Sequence, residues 1–104
     1  MTFLFTDVEG STPLWDSFPD AMGNALARHD QIIQSAIDAH HGRVFSTGGD
    51  GFAAVFGRAA DAVEAALSAQ KDLADEEWSG GPVLRVRMGM HTGEAEERDG
   101  DFFG

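Results

Sequence analysis

Two aspartates stand at points where the chain must turn. Asp7 closes the short apolar run Phe3-Leu4-Phe5-Thr6, and Asp50 sits inside Gly48-Gly49-Asp50-Gly51. Carboxylates are hard oxygen ligands. Two of them brought together suit Mg2+ or Mn2+, which take one or two carboxylates plus substrate phosphates. Beside Asp7, the stretch Val8-Glu9-Gly10-Ser11-Thr12-Pro13 reads as a glycine-containing turn that opens a helix. Ser11 or Thr12 is expected to cap that helix, and Pro13 suits its first turn. Such a start offers free backbone N–H groups and the positive end of a helix dipole, the ingredients of a phosphate cradle. Gly48 and Gly49 carry no side chain and admit a ligand close to the backbone. Arg87 adds a fixed cation. Carboxylates, cradle and arginine together describe a site for a nucleoside triphosphate. Each residue also has an ordinary structural use: Asp50 in a hairpin turn, Asp7 at a strand end, Ser11-Thr12-Pro13 at a helix start. The chemistry depends on their being brought together.

Topology would do that. Residues 2–7 read as a strand. Met22, Ala25, Leu26, Ile32, Ile33, Ala36 and Ile37 recur at helical spacing and predict a helix from Asp20 that fades at His40-His41-Gly42. Pro19 separates it from the short helix before it. The runs 43–47 and 52–56 flank the glycine turn and predict a hairpin. Residues 58–77 predict a second amphipathic helix, with Ala60, Val63, Leu67, Gln70 and Ala74 along it. Residues 83–91 alternate as a half-buried strand, with Leu84, Val86, Met88 and Met90 on one face and Arg85, Arg87 and His91 on the other. The order is β-α-β-β-α-β. It specifies an α+β class and a ferredoxin-like βαββαβ palm, one antiparallel sheet with its helices on one face. The first and third strands of such a palm pair at its centre, about 4.8 Å apart. Asp7 and Asp50 would then share one sheet edge.

Composition narrows the partners. The 104 residues are enough for one domain and carry 18 acids against 7 lysines and arginines, a net charge of −11. That surface repels double-stranded DNA and anionic membranes, so neither nucleic acid nor membrane is expected as a partner. A nucleotide is not repelled where a bound divalent cation inverts the local sign. With no cysteine there is no disulfide, no thiolate zinc site and no cysteine nucleophile. No apolar run approaches the roughly 20 residues of a membrane span. The N-terminus has neither a basic region nor a cleavage-like tail, so a signal peptide is not expected and a cytoplasmic location is. The acidic stretch from Gly93 ends on Phe102-Phe103-Gly104, two aromatics with nothing in sequence to pack against. The expectation is a chain that stops short of its natural domain boundary.

Four motifs, in order, carry a family resemblance. Phe3-Leu4-Phe5-Thr6-Asp7-Val8-Glu9-Gly10-Ser11-Thr12 resembles the opening strand of class III adenylate and guanylate cyclases, in the form seen in actinobacterial multidomain regulators. Thr47-Gly48-Gly49-Asp50-Gly51-Phe52 resembles the family's second metal-carboxylate turn. Arg87-Met88-Gly89-Met90-His91-Thr92-Gly93 resembles its Arg-x-Gly-x-His-x-Gly strand, and Asp101-Phe102-Phe103-Gly104 the segment after its dimerisation arm. The resemblance covers nearly all of the chain but only the earlier part of the family domain. Residues 1–104 are therefore read as a partial cyclase domain lacking the family's final helix and hairpin. An exposed apolar face is expected where those elements would dock.

The resemblance implies roles position by position. Asp7 and Asp50 would hold two Mg2+ or Mn2+, with the Val8 carbonyl on one of them. Val8, Glu9, Gly10, Ser11 and Thr12 would hold the β- and γ-phosphates of ATP or GTP, with Gly49 in the facing turn. Arg87 would touch the polyphosphate, and Asp101 would help read the base. The implied reaction is attack of the ribose 3′-hydroxyl on the α-phosphorus with loss of pyrophosphate. Each site would form between two cyclase domains, as a homodimer or heterodimer. Two departures stand out. Ser46 occupies the place of a base-reading lysine, and the family's ribose asparagine and transition-state arginine fall beyond residue 104. The Gly48–Phe52 turn also resembles that of diguanylate cyclases, but the other motifs do not. The competing reading is a degenerate, non-catalytic cyclase-like domain that binds nucleotide or a regulatory partner. His40-His41, the acids Asp72 to Glu77, and Trp15 with Phe18 are read as a helix end, a solvated helix end and core.

Overall fold

The computed structural model describes residues 1–93 and the backbone of 96–98 and 101–103. Its elements run β1 (Thr2–Val8), α1 (Ser11–Ser17), α2 (Ala21–Ala39), β2 (Arg43–Gly48), β3 (Gly51–Phe56), α3 (Ala59–Asp75), β4 (Val86–Thr92), β5 (Glu96–Arg98) and β6 (Asp101–Phe103). The first four strands form one antiparallel sheet in the order β2-β3-β1-β4, while β5 and β6 pair as a small second sheet. This is the ferredoxin-like order expected. Among the described residues no helix is long and apolar enough to cross a membrane.

β1 is central. It pairs with β3 from Thr2↔Phe56 to Thr6↔Phe52 and with β4 from Thr2↔Thr92 to Val8↔Val86. Strand alternation sends Leu4 and Val8 into the helical layer and Phe3, Phe5 and Asp7 to the opposite face. In that layer Leu4, Val8 and Phe56 pack with Met22, Ile33 and Ile37 of α2 and the alanines of α3. Each large apolar side chain buried there contributes about 1.5–3 kcal/mol. Phe3 is buried on the other face, where it meets the rings of Phe5, Phe45 and His91 at centroid distances of 6.4, 6.0 and 6.5 Å.

α2 ends in a Schellman motif: the Gly42 N–H donates to the Ile37 carbonyl (2.9 Å) and the His41 N–H to that of Asp38 (3.4 Å). His41 takes the left-handed conformation, φ 65°, usually left to glycine. Gly42 is needed for a different reason. A Cβ there would lie 2.5 Å from the Phe56 ring and 2.7 Å from Ile37 Cγ2.

Four expectations change. α3 buries Ala62, Ala65, Ala66, Ala69 and Leu73, whereas Val63 and Leu67 are exposed. Alanines let the helix lie close to the sheet, and that close approach outweighed the larger side chains. Trp15 is exposed rather than core, because α1 is one short helix with no buried residue. Gly10 in the left-handed conformation caps α1, and neither Ser11 nor Thr12 makes a side-chain cap. The last palm strand begins at Val86, not at residue 83. Only from Val86 does it have a partner in β1, and Val83 is exposed although Leu84 is buried. Phe5, Val63, Leu67 and Met90 are the apolar side chains left most open on the sheet and α3, Leu67 at 66%.

Since Phe56 and Ile37 are fully buried and cannot yield, Gly42→Ala should destabilise the fold by about 1–3 kcal/mol. Urea denaturation measures this, and an unchanged midpoint would contradict the packing described.

Candidate active site

The end of β1 is where the two turns meet. Asp7 is the residue after the last β1–β3 pair, Thr6↔Phe52, and faces Arg87 across the β1–β4 ladder. The Phe52 N–H donates to the Thr6 hydroxyl at 3.3 Å, a buried tie between the strands just below the site. Continuing the register by one residue sets Gly51 beside Asp7. A Cβ on Gly51 would lie 3.0 Å from the Thr6 carbonyl oxygen, so glycine lets the Asp50 turn close onto β1. The turn itself has two residues, Gly49 and Asp50, between the paired Gly48 and Gly51. Gly49 has φ 56°, while Asp50 has no positive φ. This is the pattern of a type II′ hairpin turn, with glycine first.

Arg87 grips Asp7 with both arms. Its Nε donates to Oδ1 and its Nη2 to Oδ2, each at 2.9 Å. The side chains are 65% and 49% exposed, so the fork stands at the surface of the helix-free face. Asp7 above all, through hydrogen bonds and charge, holds the guanidinium pKa above its ordinary value, and the charges of Glu9 and Asp50 add to this. Of these, Asp7 is the carboxylate in direct contact with Arg87. Phe5, Thr6, Asp7, Arg87, Met88 and Gly89 line an adjoining depression of about 310 Å3, floored where Phe5 faces the missing side chain of Gly89.

The backbone supplies a further oxygen. The Glu9 N–H donates to the Arg85 carbonyl at 2.7 Å. Main-chain groups alternate sides along an antiparallel strand. The Val8 carbonyl is thereby directed to the β3 side, toward the Asp50 turn, while its side chain is buried. Two carboxylates and a carbonyl are the hard donor set that Mg2+ or Mn2+ takes with phosphate oxygens completing the shell. No group of three or more histidines and acids among the described residues is placed to hold an ion without such help.

The other expected residues fall into two groups. Glu9, Gly10, Ser11 and Thr12 follow directly from β1 and form the turn into α1. The first N–H groups of a helix have no intrahelical acceptor and are left to solvent or a ligand. Ser46 is exposed on β2 opposite Ala53, with β3 between it and Phe5 of β1, so about 10 Å of sheet separates it from that strand. Asp101 opens β6, which lies beside β2, and its side chain falls outside the described residues. Sequence reasoning missed Thr6 and Gly51 as the residues that seat the Asp50 turn. The glycine beside Asp50 was the available signal. The resemblance implies a polyphosphate contact for Arg87, and in the structure its side chain pairs with Asp7.

The family model of the adenylate and guanylate cyclase catalytic domain matches residues 1–98. An uncharacterized protein of Mycobacterium tuberculosis is 42% identical over 101 residues, which cover 95% of this chain and 33% of that protein. An adenylate cyclase of Lachancea kluyveri is 34% identical over 112 residues, covering 89% of this chain and 6% of that protein. The structure of Trypanosoma brucei adenylate cyclases in their monomeric state superposes with a TM-score of 0.90 at 26% identity, over 99% of this chain and 63% of that one. An adenylate/guanylate cyclase/hydrolase of Silicibacter pomeroyi gives 0.81 at 28%, over 99% and 61%. The chain thus spans a third of the mycobacterial relative and less than two thirds of these solved structures.

Exposed ion pairs add little to stability. Asp7→Asn should therefore leave the urea midpoint close to that of the unaltered protein. A large fall would mean that Asp7 holds the sheet together rather than serving a ligand.

Proposed function

The chain belongs to the adenylate and guanylate cyclase catalytic domain family, and we propose that it carries the cation- and phosphate-binding half of a nucleotide cyclase site. The observation that carries this reading is the convergence of Asp7, Asp50 and Arg87 at one end of the sheet. Asp7, Asp50 and the Val8 carbonyl would hold two Mg2+ or Mn2+, which when bound lower the pKa of the attacking hydroxyl and offset phosphate charge. The N–H groups and hydroxyls from Gly10 to Thr12 bind the β- and γ-phosphates, beside Gly49, whose bare backbone leaves them room; the Glu9 N–H, expected there too, is taken by the Arg85 carbonyl. Arg87 pairs with a polyphosphate oxygen and stabilises the charge that grows as pyrophosphate departs. The substrate is ATP, supported by relatives named adenylate cyclases. Ser46 and Asp101 stand where the family resemblance puts the base readers. A serine donates one hydrogen bond without charge, so GTP is the runner-up substrate. The 3′-hydroxyl attacks the α-phosphorus, the 3′,5′-cyclic nucleotide forms, and pyrophosphate leaves.

The ribose-binding asparagine and the transition-state arginine come from a partner cyclase domain that carries them, whereas a homodimer of residues 1–104 alone has the first half of each site and lacks the second. Without such a charged donor the rate falls by about 10²–10³, so the 104 residues alone turn over weakly or not at all. Ser46 favours a second reading, a cyclase-like domain that binds nucleotide without cyclising it.

Cyclisation of ATP and GTP with Mn2+ separates the two. The chain is assayed alone and mixed with a cyclase domain whose own metal aspartates are replaced. Activity in the mixture alone is the expected result. No activity in either, with Mn2+-dependent nucleotide binding retained, selects the second reading. Absence of both contradicts the proposal.

A further inference from the structure

We infer that Arg87 is an internal counter-ion which a divalent cation must displace from Asp7, so that cation and polyphosphate load the site together. The inference rests on the cation reading of Asp7 and Asp50 given above.

The geometry leaves Asp7 no free fork. Both carboxylate oxygens accept from Arg87, at 2.9 and 2.9 Å, between directly facing residues of β1 and β4. A cation seated on Asp7 needs one of those oxygens and repels the guanidinium that holds it. The Nε/Nη2 edge that Arg87 turns to Asp7 fits a carboxylate or a phosphate oxygen pair equally well, but that edge holds only one of them at a time. Arg87 therefore has two alternative partners of the same geometry, Asp7 before loading and a polyphosphate oxygen after it. A cation that opens the pair frees Arg87 for phosphate, and a phosphate that draws Arg87 away bares Asp7 for the cation. By linkage the two bindings strengthen one another by the same factor. Because the pair is exposed, opening it is cheap. The expected effect is a several-fold change in affinity rather than orders of magnitude.

The test is Mn2+ binding without nucleotide, read from the free-ion electron paramagnetic resonance signal, on the unaltered chain, Arg87→Gln, Asp50→Asn and the double variant. Arg87→Gln should bind Mn2+ about three- to tenfold more tightly, and Asp50→Asn should weaken binding in both backgrounds. Arg87→Lys keeps the charge but not the fork, and should fall between. If Asp50→Asn weakens binding while Arg87→Gln leaves it equal or weaker, the counter-ion inference is overturned and the cation reading stands. If Asp50→Asn changes nothing in either background, both fall. A measurement on the unaltered chain guards against a misfolded variant. The Arg87 side-chain N–H resonance should move as Mg2+ is added, and a fixed resonance at saturation overturns the inference.

Discussion

The register of β1 between β3 and β4 is the constraint from which the site follows. Two ladders, one on each side of a seven-residue strand, place Asp7 opposite Arg87 and the Asp50 turn next to Asp7. A slip of one residue would turn Asp7 toward the helices and Val8 toward solvent. The apolar layer opposes such a slip, because Leu4 and Val8 would lose their places among Met22, Ile33, Ile37 and Phe56. The buried Phe52–Thr6 hydrogen bond and the bare Gly51 then bring the turn against the strand end. Core packing thus does the positioning, and the charged groups need hold nothing in place.

Charge supports the proposed cation. A chain of net charge −11 should repel a polyphosphate, and Asp7, Glu9 and Asp50 at the strand end and its turns add to that repulsion. A divalent ion between carboxylate and phosphate reverses the local sign. Arg87 balances the charge of Asp7, its direct partner. On the proposed reading the site gains from added positive charge, with Arg87 as the stand-in on Asp7 before a cation is bound.

The palm was legible in the sequence because strand alternation and helical spacing are strong over long segments. α2 and the 43–56 hairpin came out within a residue or two of their expected bounds. The placement of Asp7, Asp50 and Arg87 at one sheet edge was legible, since topology alone brings them there. The face of α3 was not. Counting large apolar residues favoured Val63 and Leu67, but close helix–sheet packing selected the alanines. Gly10 took the cap because a left-handed residue best turns the chain from β1 into α1. The Asp7–Arg87 pairing required the β1–β4 register, which no local pattern states. Ser46 and Asp101 were found by resemblance alone, and the strands that carry them, β2 and β6, lie side by side at the far edge of the palm.

Everything proposed for this chain requires that the Asp7 strand end and the Asp50 turn form a single cation and phosphate site. Paramagnetic broadening of the 15N–1H spectrum by substoichiometric Mn2+ with a non-hydrolysable ATP analogue tests it directly. The account predicts that the amides of Asp7 to Thr12 and of Gly49 to Gly51 broaden first and together, while those of the acidic α3 end, Asp72 to Glu77, stay sharp. Broadening that begins at the α3 end, or that reaches one turn without the other, would contradict it.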